Sequence, residues 1–289
     1  AFRYLMASSG LANCACAGMA KVKASNVPIR ANVRFIYNSN HVIQVLKDLC
    51  LLAISVSHIS LFFAWMKVPM FKVRIWDLPT RLFHWLLTAC VIGLVITGNL
   101  GGNAMVWHFR FGYAVLSLLI FRLVWGFLGG HWSRWSQLPL HPSNVLAYVQ
   151  GRSPSLHLVG HNPLGSWSIL LMLFFLGFQV ATGLFSDDEI ANSGPLSSLA
   201  SSAVVSLATQ WHKQWGKLFL ILLVSTHLFA VFWYWWRKKQ SLVPAMWHGD
   251  KKLQVSVPDS LDTVRTRLIA LALFGVAVVL VFALVSLAS

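Results

Sequence analysis

The sequence predicts an all-α integral membrane protein: a four-helix transmembrane bundle followed by a fifth, C-terminal transmembrane helix. Three observations predict it. Of the 289 residues, 57% are hydrophobic and only 11% are charged, whereas a soluble domain carries about 25% charged residues. Several uncharged apolar stretches reach the length of about 20 residues that a membrane crossing needs; none of the residues between Arg81 and Arg110 is charged. These stretches lack the period-two alternation of a membrane barrel. Only helices and closed barrels satisfy the backbone in lipid, so the stretches read as helices.

Residues 1–69 are the least legible. Leu49 to Trp65 is apolar and carries His58, with Lys21, Lys23, Arg30, Arg34 and Lys47 before it and Lys67, Lys72 and Arg74 after it. A signal peptide fits this badly, because the apolar part lies far from the N-terminus. The expectation is a natural start at Met66 or Met70, preceded by a poorly ordered extension. Residues 70–253 form the core. Asp77 stands before Pro79 as a helix cap, and the first span follows over 82–98. After the short loop Asn99–Asn103, the second span covers 108–128 and is interrupted by Arg122. A polar segment over 130–165, with Trp132, Trp135, Pro139, Pro142 and Tyr148, lies partly on the membrane surface. The third span covers 167–185, and an acidic turn, Asp187-Asp188-Glu189, leads toward the fourth, 211–236. Residues 254–289 form a linker and a fifth span over 268–287.

The formal charge of +15 does not indicate nucleic acid, because the cations flank apolar spans rather than forming one basic domain. They read as topology signals and as contacts to anionic lipid. Lys67, Lys72, Arg74, Arg81, Arg134, Arg152, Arg237, Lys238, Lys239, Lys251, Lys252, Arg265 and Arg267 fall on one side, and the 99–107 loop and the acidic turn on the other. The N-terminal end of the core is therefore expected in the cytoplasm. Of the four cysteines, Cys14, Cys16, Cys50 and Cys90, no pair has zinc or thioredoxin spacing, and Cys14-Ala15-Cys16 lacks the following His of covalent haem attachment. Cys90 reads as a small packing residue.

Four histidines fall within or at the ends of spans: His84, His108, His212 and His227. An ionisable group in a membrane bundle is costly and marks function. His108 and His212 belong to the outer level, His84 and His227 to the inner. His212 and His227 are fifteen residues apart, which is about 22 Å along a helix and about 60° around it. Two pairs at two depths can each grip one flat ligand. Two haems b suit them, as neutral imidazole binds iron and two axial histidines leave no open position. The pairing expected is His108 with His212, and His84 with His227.

The local sequences carry a resemblance. Trp76-Asp77-Leu78-Pro79-Thr80-Arg81-Leu82-Phe83-His84-Trp85 resembles the opening of the bacterial cytochrome b561 family, which includes the hydrogenase cytochrome b subunits. Trp107-His108 with Gly112-Tyr113, then Phe121-Arg122-Leu123-Val124-Trp125-Gly126, resembles its second helix. Gly160-His161-Asn162-Pro163-Leu164-Gly165 resembles the loop before its third, and Thr182-Gly183-Leu184-Phe185 and the His212/His227 helix resemble the rest. The family often has a His pair at the start of the fourth helix; here Trp211 precedes His212. The resemblance, over about 70–253, implies a dihaem membrane cytochrome of the bacterial inner membrane. It would exchange electrons between the quinone pool and a redox protein such as a cytochrome c or a hydrogenase-like or dehydrogenase subunit. A homodimer is compatible with it.

Supporting residues have plainer alternatives. Arg81 and Arg122 could each meet an inner haem propionate, or serve as a positive-inside anchor and a snorkelling cation. Lys213 and Lys217 read as interface anchors, and His161 as a surface loop residue that could assist a quinone proton step. His131, His141, His157 and His248 read as surface residues. Gly93, Gly98, Gly112 and Gly183 would let a porphyrin or a neighbouring helix approach. Two rival functions are a proton-coupled transporter, which predicts carboxylates within spans, and a haem-free anchor subunit of a larger complex, which predicts no pigment.

Overall fold

The computed structural model describes Gln44, Lys47, Asp48 and residues 70–288. The chain divides into two compact units, Ala1–Lys67 and Val68–Ser289. The expectations for Leu49 to Trp65, His58, Cys14, Cys16 and Cys50 lie outside the described residues.

In the second unit the order is β1 (Phe71–Arg74), α1 (Leu78–Leu100), α2 (Met105–Leu128), a short α3 (Pro142–Val149), α4 (Pro163–Leu184), α5 (Ser202–Arg237), α6 (Val243–His248), β2 (Asp250–Leu253) and α7 (Val264–Ala288). Five helices, α1, α2 with the 3-10 turn before it, α4, α5 and α7, are long and apolar enough to cross a membrane. The protein is an all-α integral membrane protein. Its large outward side chains, such as Leu228, Phe229 and Phe282, form the apolar surface that lipid demands.

Local chemistry sets the ends of the helices. α1 starts at Leu78 rather than 82: Asp77 Oδ1 accepts from Thr80 N at 2.8 Å, with Pro79 in the first turn. That carboxylate does more than cap. It is fully buried and also accepts from Gly130 N at 3.0 Å, Ser133 Oγ at 2.7 Å and Trp125 Nε1 at 3.3 Å. It thereby locks the start of α1 to the end of α2. α4 starts at Pro163, where Asn162 Oδ1 accepts from Gly165 N at 2.8 Å. α5 begins nine residues before the expected 211 and runs through a π-turn at Trp211–Gly216.

A two-stranded antiparallel sheet departs from the purely helical expectation. β1 pairs with β2 from Phe71↔Leu253 to Arg74↔Asp250, tying the chain before α1 to the chain after α5. The segment before α7 straps this end: Ser260 N donates to Arg74 O at 2.8 Å, and Asp262 pairs with Arg74 and Arg267, both at 2.8 Å. Val73, Ile75, Trp76, Trp132, Val159 and Ala245 form the apolar cluster beneath.

Within the bundle α1 lies along α2, α7 covers α2, and α4 packs on both α2 and α5. Phe83, Leu118, Phe121, Trp125 and Ala270 fill the junction of α1, α2 and α7, and Val115, Leu176 and Val180 that of α2 and α4; Cys90 packs against both clusters. Neither α1 nor α2 shares an extensive main-chain contact with α5. The four histidines lie on these three helices: His84 on α1, His108 on α2, and His212 and His227 on α5.

Candidate haem sites

At the outer level the structure brings His108 of α2 and His212 of α5 together, ring centroids 6.0 Å apart and perpendicular. His108 Nδ1 lies 3.1 Å from the Leu94 carbonyl and 3.3 Å from Thr97 Oγ1. His212 Nδ1 lies 2.9 Å from the Gln179 carbonyl. A main-chain carbonyl accepts only, so each Nδ1 carries the proton and each Nε2 keeps its lone pair. Metal-binding histidines are oriented in this way.

The surroundings repeat. Leu94-Val95-Ile96-Thr97-Gly98 on α1 and Gln179-Val180-Ala181-Thr182-Gly183 on α4 share Val-x-Thr-Gly, and in each the carbonyl four residues before the glycine receives the imidazole of the following long helix. Each Thr hydroxyl donates back into its own helix, Thr97 to Gly93 O at 2.7 Å and Thr182 to Phe178 O at 3.0 Å. Each glycine lies under the ring: a Cβ would stand 3.0 Å from His108 Cε1 at Gly98, and 2.7 Å from His212 Cε1 at Gly183. Of the other glycines considered, Gly93 faces the Phe111 ring, and Gly112 faces open space.

At the inner level His84 of α1 and His227 of α5 are close enough to interact electrostatically, and His84 Nδ1 is buried without a protein partner. Arg122 is buried and donates to Ser133 O at 3.1 Å, with its guanidinium 4.1 Å over the Trp135 ring. Its Nη1 has no partner. Arg81 is largely committed elsewhere, donating to Trp247 O at 2.7 Å with Asp262 at 3.9 Å, though its buried Nε is unpaired. His161 is no simple surface residue. It is partly buried against Trp76, centroids 4.4 Å apart. Burial, with the charges of Arg122, His227, Lys251 and His84, pushes it down to about 3. Lys251 Nζ donates to Leu158 and Val159 carbonyls at 3.0 and 3.2 Å, and burial lowers it. On the outer side Lys217 reaches Asn99 Oδ1 at 3.3 Å.

These residues fit haem. With metal–nitrogen bonds of about 2 Å, two imidazoles on one iron place their centroids about 6 Å apart. The outer pair has that spacing, the right tautomers and glycine floors. At the inner level, the orphaned guanidinium N–H of Arg122 suits an anionic substituent. Sequence reasoning missed the role of Gln179, although it is the one carboxamide in an apolar helix.

Residues 75–249, more than half of the chain, match the family model described as prokaryotic cytochrome b561. The chain is similar to the probable Ni/Fe-hydrogenase B-type cytochrome subunit of Bradyrhizobium diazoefficiens, 24% identical over 63% of this chain and 87% of that one. It is also similar to the corresponding protein of Cupriavidus necator, 26% identical over 61% of this chain and 85% of that one. A shorter match joins it to the probable Ni/Fe-hydrogenase 1 B-type cytochrome subunit of Escherichia coli K12, 24% identical over 38% of this chain and 57% of that one. No solved structure is significantly similar to it. The chain therefore belongs to the prokaryotic cytochrome b561 family, and is a multi-pass membrane cytochrome that uses haem b in electron transfer.

Proposed function

We propose that the protein holds two haems b, one between His108 and His212 and the other between His84 and His227, and passes electrons between a redox protein and quinone. The observation that carries this is the outer pair: two imidazoles 6.0 Å apart, each with Nδ1 turned to a carbonyl. Bis-histidine haem supplies one-electron iron chemistry with no open position for oxygen.

The chain's own residues set the conditions for that chemistry. The carbonyls of Leu94 and Gln179 fix the imidazole tautomers and raise their basicity. The apolar walls of α1, α2, α4 and α5 exclude water. Arg122 offers its free N–H to an inner propionate. Arg81 ties the α1 start to α6 and to the segment before α7, and its buried, unpaired Nε is left for the same inner haem. The relatives' names make a hydrogenase-type subunit the first redox partner to test. The distribution of cations supports a bacterial inner-membrane topology with β1, β2 and the start of α1 on the cytoplasmic side. A reduced-minus-oxidised spectrum of the purified chain, with haem counted per polypeptide, tests the reading. Two haems b are expected, and a pigment-free chain would refute it.

A further inference from the structure

Gln179 is the sole carboxamide in α4, which has no ionisable residue. A polar side chain at membrane depth is costly unless it is used. It touches His212 twice. Its carbonyl accepts from His212 Nδ1–H at 2.9 Å, and its side-chain Nε2 donates to the His212 carbonyl, also at 2.9 Å.

The second contact coincides with the π-turn Trp211–Gly216. A π-turn widens the ladder of main-chain hydrogen bonds and occurs frequently at functional sites. Here it carries His212, and the Gln179 carboxamide binds its carbonyl from outside the helix. Gly216 provides the room: a Cβ there would overlap the carboxamide and lie 2.8 Å from Trp211 Nε1. The other outer histidine has a side-chain neighbour at its ring, Thr97 Oγ1 at 3.3 Å, rather than a carboxamide on its carbonyl. His108 rests on Leu94, whose side chain cannot donate, and it lies in a regular α-helix. The side-chain grip accompanies the π-turn alone.

We propose that Gln179 is a positioning residue for the outer haem site: its carboxamide holds the π-turn and so fixes the angle at which His212 presents Nε2. This rests on His212 as an axial ligand. In Gln179→Leu the main-chain acceptor stays and the grip goes. Both haems should remain, while the low-spin electron paramagnetic resonance signal and midpoint potential of one haem shift and those of the other stay put. Transfer of that haem to apomyoglobin should quicken about three- to tenfold, the factor one hydrogen bond controls.

Gly216→Ala should reproduce the shift by displacing the carboxamide. Gly216→Ala should add less in a Gln179→Ala background than it does alone, because the overlap with the carboxamide is gone and only the 2.8 Å approach to Trp211 Nε1 remains. That cycle also reads the proposal if Gln179→Leu fails to fold. Unchanged signals in Gln179→Leu, or equal shifts of both haems, would overturn it. His212→Ala separates the two levels of the argument. Loss of one haem there with a silent Gln179→Leu sinks only the positioning role, whereas full retention of both haems sinks the ligand assignment beneath it.

Discussion

Gly183→Ala should strip the outer haem and spare the inner one. The added Cβ would stand 2.7 Å from His212 Cε1, 3.1 Å from Nδ1 and 3.5 Å from Nε2. Carbon atoms pack at about 3.5–4.0 Å, so the ring must retreat by about 1 Å. A retreat of that size takes the 2.9 Å contact to the Gln179 carbonyl out of good hydrogen-bonding range. Overpacking costs about 1–3 kcal/mol and the lost hydrogen bond about 1 kcal/mol. Together these weaken haem retention by about 30-fold to several-hundred-fold. Gly98→Ala meets His108 at 3.0 and 3.2 Å and should be gentler, within about tenfold by the same reasoning. Haem per chain by pyridine haemochrome, with haem loss to apomyoglobin, measures both. A Gly183→Ala protein that keeps both haems as wild type does, or that loses the inner one, would show that Gly183 is not the floor of the outer site.

Other perturbations follow from the inner half and the strap. Arg122→Leu removes a buried cation whose Nη1 is unpaired, and with it a positive charge that would favour the reduced form of a haem beside it. The inner haem should become tens of millivolts more negative in a redox titration, with the outer haem unmoved. Burial alone would raise the Asp262 carboxyl, but the Arg267 and Leu78 hydrogen bonds and the Arg267 and Arg74 charges outweigh it and hold it below its ordinary value. A depressed carboxyl stabilises the fold above its unfolded pKa, and that contribution is lost as pH falls below about 4. Asp262→Asn should therefore lower thermal stability in detergent at neutral pH and flatten its decline in acid. A cysteine placed in the 187–189 turn should react with an impermeant thiol reagent from the periplasmic side of intact cells, and one at Lys239 should not; the reverse pattern would invert the topology.

Much of the bundle was legible because hydropathy over some twenty residues is a local property, and an imidazole stands out in a run without charge. All five expected spans appear as helices. Their ends moved where capping decides them. α1 and α4 start four residues earlier than hydropathy suggests, each just after an Asx cap and with a proline in its first turn. α5 starts earlier still, since Ser202–Gln210 continues the helix with too little hydropathy to signal a span. The β1–β2 pair could not be read at all: two four-residue, charge-rich strands pair across nearly the whole core. Asp77 was legible as a cap but not as the acceptor for Trp125, Gly130 and Ser133, which depends on α2 returning to it. Gln179 was missed for the same reason. Its partner lies thirty-three residues away, and a lone carboxamide has no period or motif to announce it.

The haem assignment depends on four imidazoles forming two couples. Its most direct measurement is haem per chain in His108→Ala, His212→Ala and the double variant, beside His84→Ala and His227→Ala. Each single variant and the His108/His212 double should retain one haem b, while His84→Ala combined with His108→Ala should retain none. A His108/His212 double variant without haem, or one still holding two, would contradict the pairing.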